Sequence, residues 1–410
     1  MTTTRRRLVA TGLLVALVAG ACGGSDGDKE AAPAAGRTGQ GAPVNLEVGG
    51  VYSPAATLRA NLTHLLQEHV FLSGITTNLV LQGKDAAPAA AVLDANTAAL
   101  GETFGRLYSD AVAQRFLELW RRKTGLFVEF AQATAAGDQA ALAKVKADLA
   151  LYQDEFGAFV NQTNPQLPAD ASKEDAGTHI GAVLAAITAQ AKDDPTALAK
   201  LKEAAAVMPR TGAVFAAGIV KQMPEAFAGT ADGGGATLLA TFIAALQEHV
   251  YLLAATTRTV VAGVDDKKSR ETLDESSEGV ANLIGSVYGD AAGRQFLQIW
   301  RAHIAAFVDD AEAEAAAAGD AAAMAKAAAE LARFRTALGA FLNGVNPNLP
   351  RQAVAADFED YVDAVLAVIA AQAAGDATEF QRLHEAAATT PLLAELLAGA
   401  IARQFATRFS

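Results

Sequence analysis

The chain has 410 residues, a net charge of −12 and a single cysteine. Its length allows two or more domains. Its acidity predicts no nucleic-acid partner, because binding phosphate requires clustered Lys and Arg side chains. One cysteine also excludes disulfides within the chain, so the folded part must be stabilised by its core.

Residues 1–22 have the pattern of a secretory signal. Arg5, Arg6 and Arg7 precede an apolar run from Leu8 to Val18, and small residues then lead to Cys22. This ending is similar to a bacterial lipoprotein cleavage site. We therefore predict a signal peptide at 1–21 and a lipid on Cys22 that anchors the protein to the membrane, on its extracellular or periplasmic side. The alternative is an ordinary signal peptide with an incidental cysteine.

Residues 22–50 are rich in Gly, Ala, Ser and Asp and offer little apolar surface to bury, which predicts a flexible tether. Beyond it, Ala, Leu, Glu, Gln, Lys and Arg dominate, and these residues favour helix. We predict an all-α fold. Proline, glycine and capping signals place the first helices at about 57–82, 87–107, 110–136, 139–162, 171–192 and 195–227, the last with a kink at Pro209.

The sequence is repeated. Gln67-Glu68-His69-Val70 is repeated 180 residues later as Gln247-Glu248-His249-Val250, and the flanking residues match at the same offset. Past a two-residue insertion the offset is 182, so that Asn164–Pro168 matches Asn346–Pro350. We predict two tandem helical bundles of about six helices each, with domain bounds of 51–228 and 237–410 around a Gly-rich linker at 229–236.

Several histidines lie on core faces of the predicted helices. His69 and His249 each share a face with leucines three residues earlier and with Leu62 or Phe242 seven residues earlier. Each is either a buried histidine satisfied by a hydrogen bond or a ligand. His64 has alanine as its counterpart, which predicts a surface or rim position. Glu68 and Glu248 project about 100° away from the histidines.

The third predicted helix has an aromatic stripe at spacings of four, three and four residues. This spacing is more typical of a core than of a cofactor site. His303 interrupts the stripe in the second copy, where the first has Lys123, so any site that uses this position exists in the second copy alone. The structural core residues predicted from the stripe are Phe116, Trp120, Phe127, Phe296, Trp300 and Phe307.

If the helices of each copy converge, two metal sites can be imagined. The first copy would use His69, His179 and Met208, and the second His249, His303 and His384, with Tyr361 or Asp360 near. Imidazole with thioether favours copper, and three imidazoles suit copper, zinc or haem iron. Repeated arginines, Arg121 and Arg301, are expected to pair with the repeated acids Glu68, Glu248, Asp110 and Asp290.

The sequence contains no Gly-x-Ser-x-Gly elbow, no phosphate-binding Gly-x-x-x-x-Gly-Lys loop and no His-Glu-x-x-His helix. Glu-His-Val, Leu-Trp-Arg, an Arg-x-His beyond the tryptophan and Asn-Pro-x-Leu-Pro together resemble an uncharacterised family of secreted bacterial helical-repeat proteins. Some of its members are labelled copper amine oxidase-like. The chain lacks the Asn-Tyr-Asp/Glu motif that such an oxidase needs, and Lys123 departs from the pattern seen at His303.

The hypothesis that best joins these observations is a membrane-tethered, non-enzymatic binding protein that uses core histidines for copper or haem. The first alternative is a structural or protein-interaction lipoprotein without a cofactor, in which every histidine is a packing residue. A metal-dependent oxidoreductase is the minor alternative.

Overall fold

A computed structural model describes residues 50–264, 267–316 and 319–409. The predicted all-α class is confirmed, since the described residues form fifteen helices and no strand. The predicted signal peptide, the lipidated Cys22 and the tether up to Gly49 lie outside the described residues. Residues 50–409 belong to one compact unit, and residues of both sequence copies contribute to its hydrophobic core.

The helices recur in the same order and with similar lengths. The first repeat consists of α1 Pro54–Leu81, α2 Ala87–Leu107, α3 Asp110–Ala136, α4 Gln139–Thr163, α5 Ala169–Gln190, α6 Ala197–Ala205 and α7 Met208–Gln222. The second consists of α8 Gly234–Val261, α9 Lys267–Tyr288, α10 Asp290–Ala315, α11 Ala321–Val345, α12 Arg351–Ala374, α13 Glu379–Ala387 and α14 Thr390–Gln404, and α15 Ala406–Phe409 follows as one turn. The domain bounds of 51–228 and 237–410 stay a prediction, and α8 begins inside the predicted linker.

Local chemistry fixes the helix ends. Gly137 closes α3 in the left-handed region at φ 66°, which glycine adopts without the steric cost of a Cβ. Asp138 then caps α4, because its carboxylate accepts from the backbone N–H groups of Ala140 and Ala141. The second repeat uses Asp320 in the same way at α11.

The predicted sixth helix is two helices. Val207 lies at the junction between α6 and α7, and Pro209 stands in the first turn of α7. Proline lacks the N–H that would continue the hydrogen-bond ladder and fits the first turn of a helix, so Pro209 opens a new helix instead of kinking a continuous one. The same break occurs before Pro391 in the second repeat, which raises the count to seven helices per repeat.

The two repeats meet along α1 and α8. His64 pairs with Gln247, whose sequence counterpart is Gln67, and Phe71 stacks on its own counterpart Tyr251 with ring centroids 4.7 Å apart and planes 3° apart. Residues of α1 therefore contact residues within a few positions of their own counterparts, so α1 and α8 run side by side in the same direction. Contacts between a residue and its own counterpart are the pattern expected when an approximate two-fold axis relates the two repeats.

Within residues 50–264, 267–316 and 319–409, two segments are long and apolar enough to cross a membrane by length and composition, Gly234–Val261 and Glu379–Gln404. In both, most of the apolar window is buried inside the protein, 72% and 61% respectively. Mostly buried core helices have the same length and composition as membrane spans.

Candidate functional site

The second repeat places two histidines and a tyrosine at its centre, supplied by three different helices. His249 comes from α8, His303 from α10 and Tyr361 from α12. The Nε2 atoms of His249 and His303 are 3.2 Å apart, and the Tyr361 hydroxyl is 3.2 Å from His303 Nε2. Together with Trp300 these residues form the second central cluster. All four side chains are at most 2% exposed.

Burial keeps the second central cluster uncharged. It lowers the pKa of His249 to about 3 and the pKa of His303 well below its usual value, the latter with a contribution from His249. Burial also raises the pKa of the Tyr361 hydroxyl. Two neutral imidazoles therefore face each other at neutral pH, each able to offer a lone pair.

Aromatic rings hold these imidazoles in place. The His303 ring stacks on Phe334 at 4.4 Å and stands edge-on to Trp300 at 4.4 Å between centroids. The His249 ring lies 4.9 Å from Trp300. Within the described part of the chain, His249 Nδ1 and Trp300 Nε1 have no hydrogen-bond partner. A flat macrocycle such as a porphyrin could reach these nitrogens only by displacing the rings packed against them.

The first repeat builds its centre from the equivalent positions with different chemistry. Trp120 Nε1 donates to His69 Nδ1 at 3.2 Å, which leaves the proton of His69 on Nε2. Lys123, at the position of His303, has its Nζ 3.3 Å from His179 Nε2 and 3.2 Å from the centroid of the Trp120 ring. His69, Trp120, Lys123 and His179 form the first central cluster.

Burial dominates the electrostatics of the first central cluster as well. The Lys123 side chain is 1% exposed, and burial lowers its pKa well below the ordinary value. The pKa values of His69 and His179 are also lowered, first by burial and then by Lys123. An amine in place of His303 brings its own positive charge whenever it is protonated, which opposes the entry of a cation.

The predicted ligand sets are only partly assembled. Met208 and His179 line one small cavity beside Lys123, and the His69 and His179 rings lie 6.1 Å apart between centroids. In the part of the chain that the structure describes, no three or more His, Cys, Asp and Glu side chains are grouped so as to hold a metal ion. His384 therefore does not lie with His249 and His303. The third polar side chain in that cluster is Tyr361.

His384 instead joins the two repeats. Its Nδ1 lies 2.9 Å from Glu68 Oε1, and the Tyr251 hydroxyl donates to the same oxygen at 2.9 Å. Asn96 donates to the other oxygen at 2.8 Å. Glu68 is fully buried, because its face of α1, turned away from the histidine, is covered by the second repeat.

These contacts shift the pKa values in opposite directions. The hydrogen bond with Glu68 raises the pKa of His384 in spite of partial burial. Burial alone would raise the pKa of Glu68, but hydrogen bonds from His384 and Asn96 and the nearby His64 and His384 lower it overall. The result is a buried carboxylate stabilised as an ion.

The aromatic stripes predicted for α3 and α10 form the core, with Phe116, Trp120, Phe127, Phe296, Trp300 and Phe307 all at most 4% exposed. The arginine partners were predicted wrongly. Arg121 pairs with Asp94, and Arg301 pairs with Asp274 and Glu278, on the preceding helix of each repeat. The chain matches no model of a known protein family, no curated protein and no solved structure.

Proposed function

We propose that this is an exported, membrane-tethered binding protein whose second repeat holds one transition-metal ion between His249, His303 and Tyr361. The observation that carries the proposal is that His303 Nε2 lies 3.2 Å from His249 Nε2 and 3.2 Å from the Tyr361 hydroxyl. Nitrogen ligands that surround zinc tetrahedrally at 2.0–2.1 Å lie about 3.3 Å from one another. The 3.2 Å between the two imidazole nitrogens is close to this ligand–ligand distance.

The donor set indicates the class of ion. Imidazole suits copper, zinc, iron and nickel, and a phenol oxygen adds a harder third ligand. Both imidazoles are neutral and need lose no proton to bind, whereas the phenol must lose its proton to bind as phenolate. We therefore propose copper(II) or zinc and no haem. The aromatic shell makes the site a holding site, from which the ion leaves only when the core opens.

Metal content decides the proposal. Soluble protein that begins near Val44 would be refolded with copper(II) or zinc, freed of loose ions and measured by mass spectrometry. We expect one ion per chain, lost in His249→Ala and in His303→Lys. Lys123→Ala in the first repeat is the matched control and should keep the ion. Folded protein that retains no copper or zinc would overturn the metal proposal.

The first repeat supports a different candidate, a structural or protein-interaction lipoprotein with no cofactor. Its central cluster packs His69 and Trp120 through one hydrogen bond and needs no ligand. If the second central cluster serves the same purpose, His249→Ala lowers the free energy of unfolding and changes nothing in metal uptake.

The proposed location depends on residues 1–22 alone. A lipid on Cys22 would hold the protein on the outer side of the membrane, and residues up to about 50 would separate the folded part from the surface. Labelling of cells with a radioactive fatty acid tests this. We expect label on the wild-type chain and none on Cys22→Ala. Release of unlabelled wild-type protein into the medium would favour an ordinary signal peptide.

A further inference from the structure

A buried amine without a carboxylate partner marks the first central cluster. Among the described residues, the only polar group within hydrogen-bond distance of Lys123 Nζ is His179 Nε2, at 3.3 Å. The Trp120 ring covers another side of the amine. An ammonium group has three N–H donors to satisfy, whereas a neutral amine tolerates one imidazole neighbour and keeps a free lone pair. The surroundings of Lys123 therefore fit a neutral, nucleophilic amine.

A small cavity of about 20 Å³ adjoins this amine. Its wall includes Lys123, His179 and Met208, and also Asp175 and Thr211. Asp175 is 18% exposed, accepts from the Thr211 hydroxyl at 2.7 Å and pairs with the exposed Arg210 at 3.3 Å. The cavity thus extends from a partly exposed carboxylate to the buried amine, and a volume of this size holds one water or a slender molecule of similar width.

We propose that Lys123 is a carbamylation site, at which carbon dioxide that enters this cavity adds to the amine. The size of the cavity carries the choice of reactant, because an aldehyde or acyl group with a side chain would collide with the Trp120 and Met208 walls. Carbon dioxide is linear and unsubstituted. The proposal concerns the first repeat and is independent of the metal ion proposed for the second.

The reaction balances without any further reactant. The Nζ lone pair forms a bond to the carbon of carbon dioxide, and one carbon–oxygen π bond becomes the lone pair of a carboxylate oxygen. The amine then loses one proton, and His179 Nε2, 3.3 Å away, accepts it. The products are a carbamate anion and an imidazolium cation, so the net charge of the buried cluster does not change.

The first central cluster also has polar atoms without a hydrogen-bond partner. In the described part of the chain, His69 Nε2 and His179 Nδ1 have no hydrogen-bond partner, and both imidazoles are buried. His69 Nε2 carries a proton because Nδ1 accepts from Trp120. Burial of an ion pair is favourable only when hydrogen bonds satisfy it, and the protonated His179 Nε2, 3.3 Å from Nζ, faces the carbamate as such a donor.

Other lysines of the chain provide an internal control. Lys144 pairs with Asp148 and Lys200 pairs with Glu203 at the surface, each at 2.7 Å. The hydrogen bond with Asp148 raises the pKa of the Lys144 amine, and an ammonium group has no lone pair to attack carbon dioxide. Carbamylation should therefore be confined to Lys123.

The test equilibrates the folded protein with 13C-bicarbonate, traps carbamates as their alkyl esters with a trialkyloxonium salt and maps the labelled peptides by mass spectrometry. We expect one trapped carboxyl group per chain, on Lys123, and the matching carbamate signal in the 13C NMR spectrum. Lys123→Met should lose both. His179→Phe, which keeps Lys123 but removes the proton acceptor, should slow labelling at least tenfold.

Label on Lys144, Lys200 or the N-terminus with none on Lys123 would overturn the proposal. The peptide map of the wild-type protein decides this even if Lys123→Met fails to fold. Equal labelling rates in the wild type and His179→Phe would contradict the assigned proton acceptor, and with it the proposed step.

Discussion

The centres of the two repeats differ at one position that changes what each can do. The second has His303, and its neutral nitrogen faces His249 and Tyr361. The first has Lys123, whose amine occupies the equivalent place against Trp120 and His179. Packing tolerates both, because each side chain is surrounded by aromatic rings. The comparison shows that a duplicated core can keep its shape while its donor atoms change.

The repeats differ also at the face where they meet. Glu68 is fully buried and holds His384, Tyr251 and Asn96. Its counterpart Glu248 has a pKa raised by burial, with Ser276 and Lys202 lowering it only in part. Lys202 itself pairs with the exposed Glu275 at 3.2 Å. One carboxylate is thus part of a complete network, and the other is not.

The largest expected effect comes from removing the complete network. Glu68→Ala leaves Tyr251, Asn96 and His384 without their shared acceptor, so we expect a loss of about 3 kcal/mol in the free energy of unfolding. Glu248→Ala should cost less than about 1 kcal/mol. Urea denaturation of both variants measures the difference, and equal losses would show that the two carboxylates are equivalent.

The second test concerns the buried amine. The pKa of Lys123 is lowered in the folded protein, so the folded state binds fewer protons than the unfolded state below the usual pKa of 10.5. The free energy of unfolding should therefore rise with pH, by up to about 1.4 kcal/mol per pH unit, until about 10.5. Lys123→Met should remove this rise and stabilise the protein by about 1–2 kcal/mol at neutral pH.

His303→Met is the matched control for this test. The pKa of His303 is lowered from 6.5, so its imidazole is neutral in both the folded and the unfolded state above neutral pH. The substitution should leave the alkaline part of the pH profile unchanged. A profile for Lys123→Met that rises like the wild type would contradict a neutral amine at this site.

A smaller effect follows from His384 and Glu68. The pKa of His384 is raised above 6.5, so its contribution is fully present below pH 6.5 and is lost as the pH rises through its folded-state pKa. The pKa of Glu68 is lowered below 4.5, so its contribution is present above pH 4.5 and is lost as the pH falls through its folded-state pKa. The ion pair should therefore stabilise the protein fully between about pH 4.5 and 6.5.

Urea denaturation across this range measures the contribution. We expect about 1 kcal/mol to be lost on the alkaline side, and His384→Gln should abolish that loss. His64, Glu385 and the Tyr251 hydroxyl also face the pair, so His64→Gln is the control that separates the titration of His64 from that of His384.

The smallest effect is expected at the repeated arginines. Arg121 and Arg301 are about half exposed, and exposed ion pairs contribute between about 0 and 1 kcal/mol. Arg301→Ala should cost slightly more than Arg121→Ala, since Arg301 contacts two carboxylates. High salt should reduce both losses. A loss above about 1.5 kcal/mol in the free energy of unfolding for either variant would contradict an exposed ion pair.

The sequence alone was sufficient to predict the helices and to predict which histidines face the core. Periodicity placed His69 and His249 on core faces, and Gly137 with Asp138 marked a helix end, because both signals are local. The Glu68 network could not be predicted in this way. The spacing of Glu68 shows only that it points away from His69, whereas its burial depends on His384, 316 residues further along.

The same limit explains the ligand sets. Spacing along one helix cannot tell which residue of a different helix meets His303, so the sequence suggests His384 as a ligand and Tyr361 only as a neighbour. The substitution of lysine for histidine was visible, but the cavity beside Lys123 results from α3, α4, α5 and α7 packing together. Pro209, just after the break, is visible in the sequence, but its position alone does not separate a kink from the start of a new helix.

The stack of Phe71 on Tyr251 has a consequence for how the protein assembles. A chain with a single repeat would offer this face to a second copy of itself, and the association would depend on protein concentration. Two repeats in one chain meet at the high effective concentration set by a short connection, so the pairing persists at any dilution. Each half is also free to change alone, which a symmetric homodimer of identical chains does not allow.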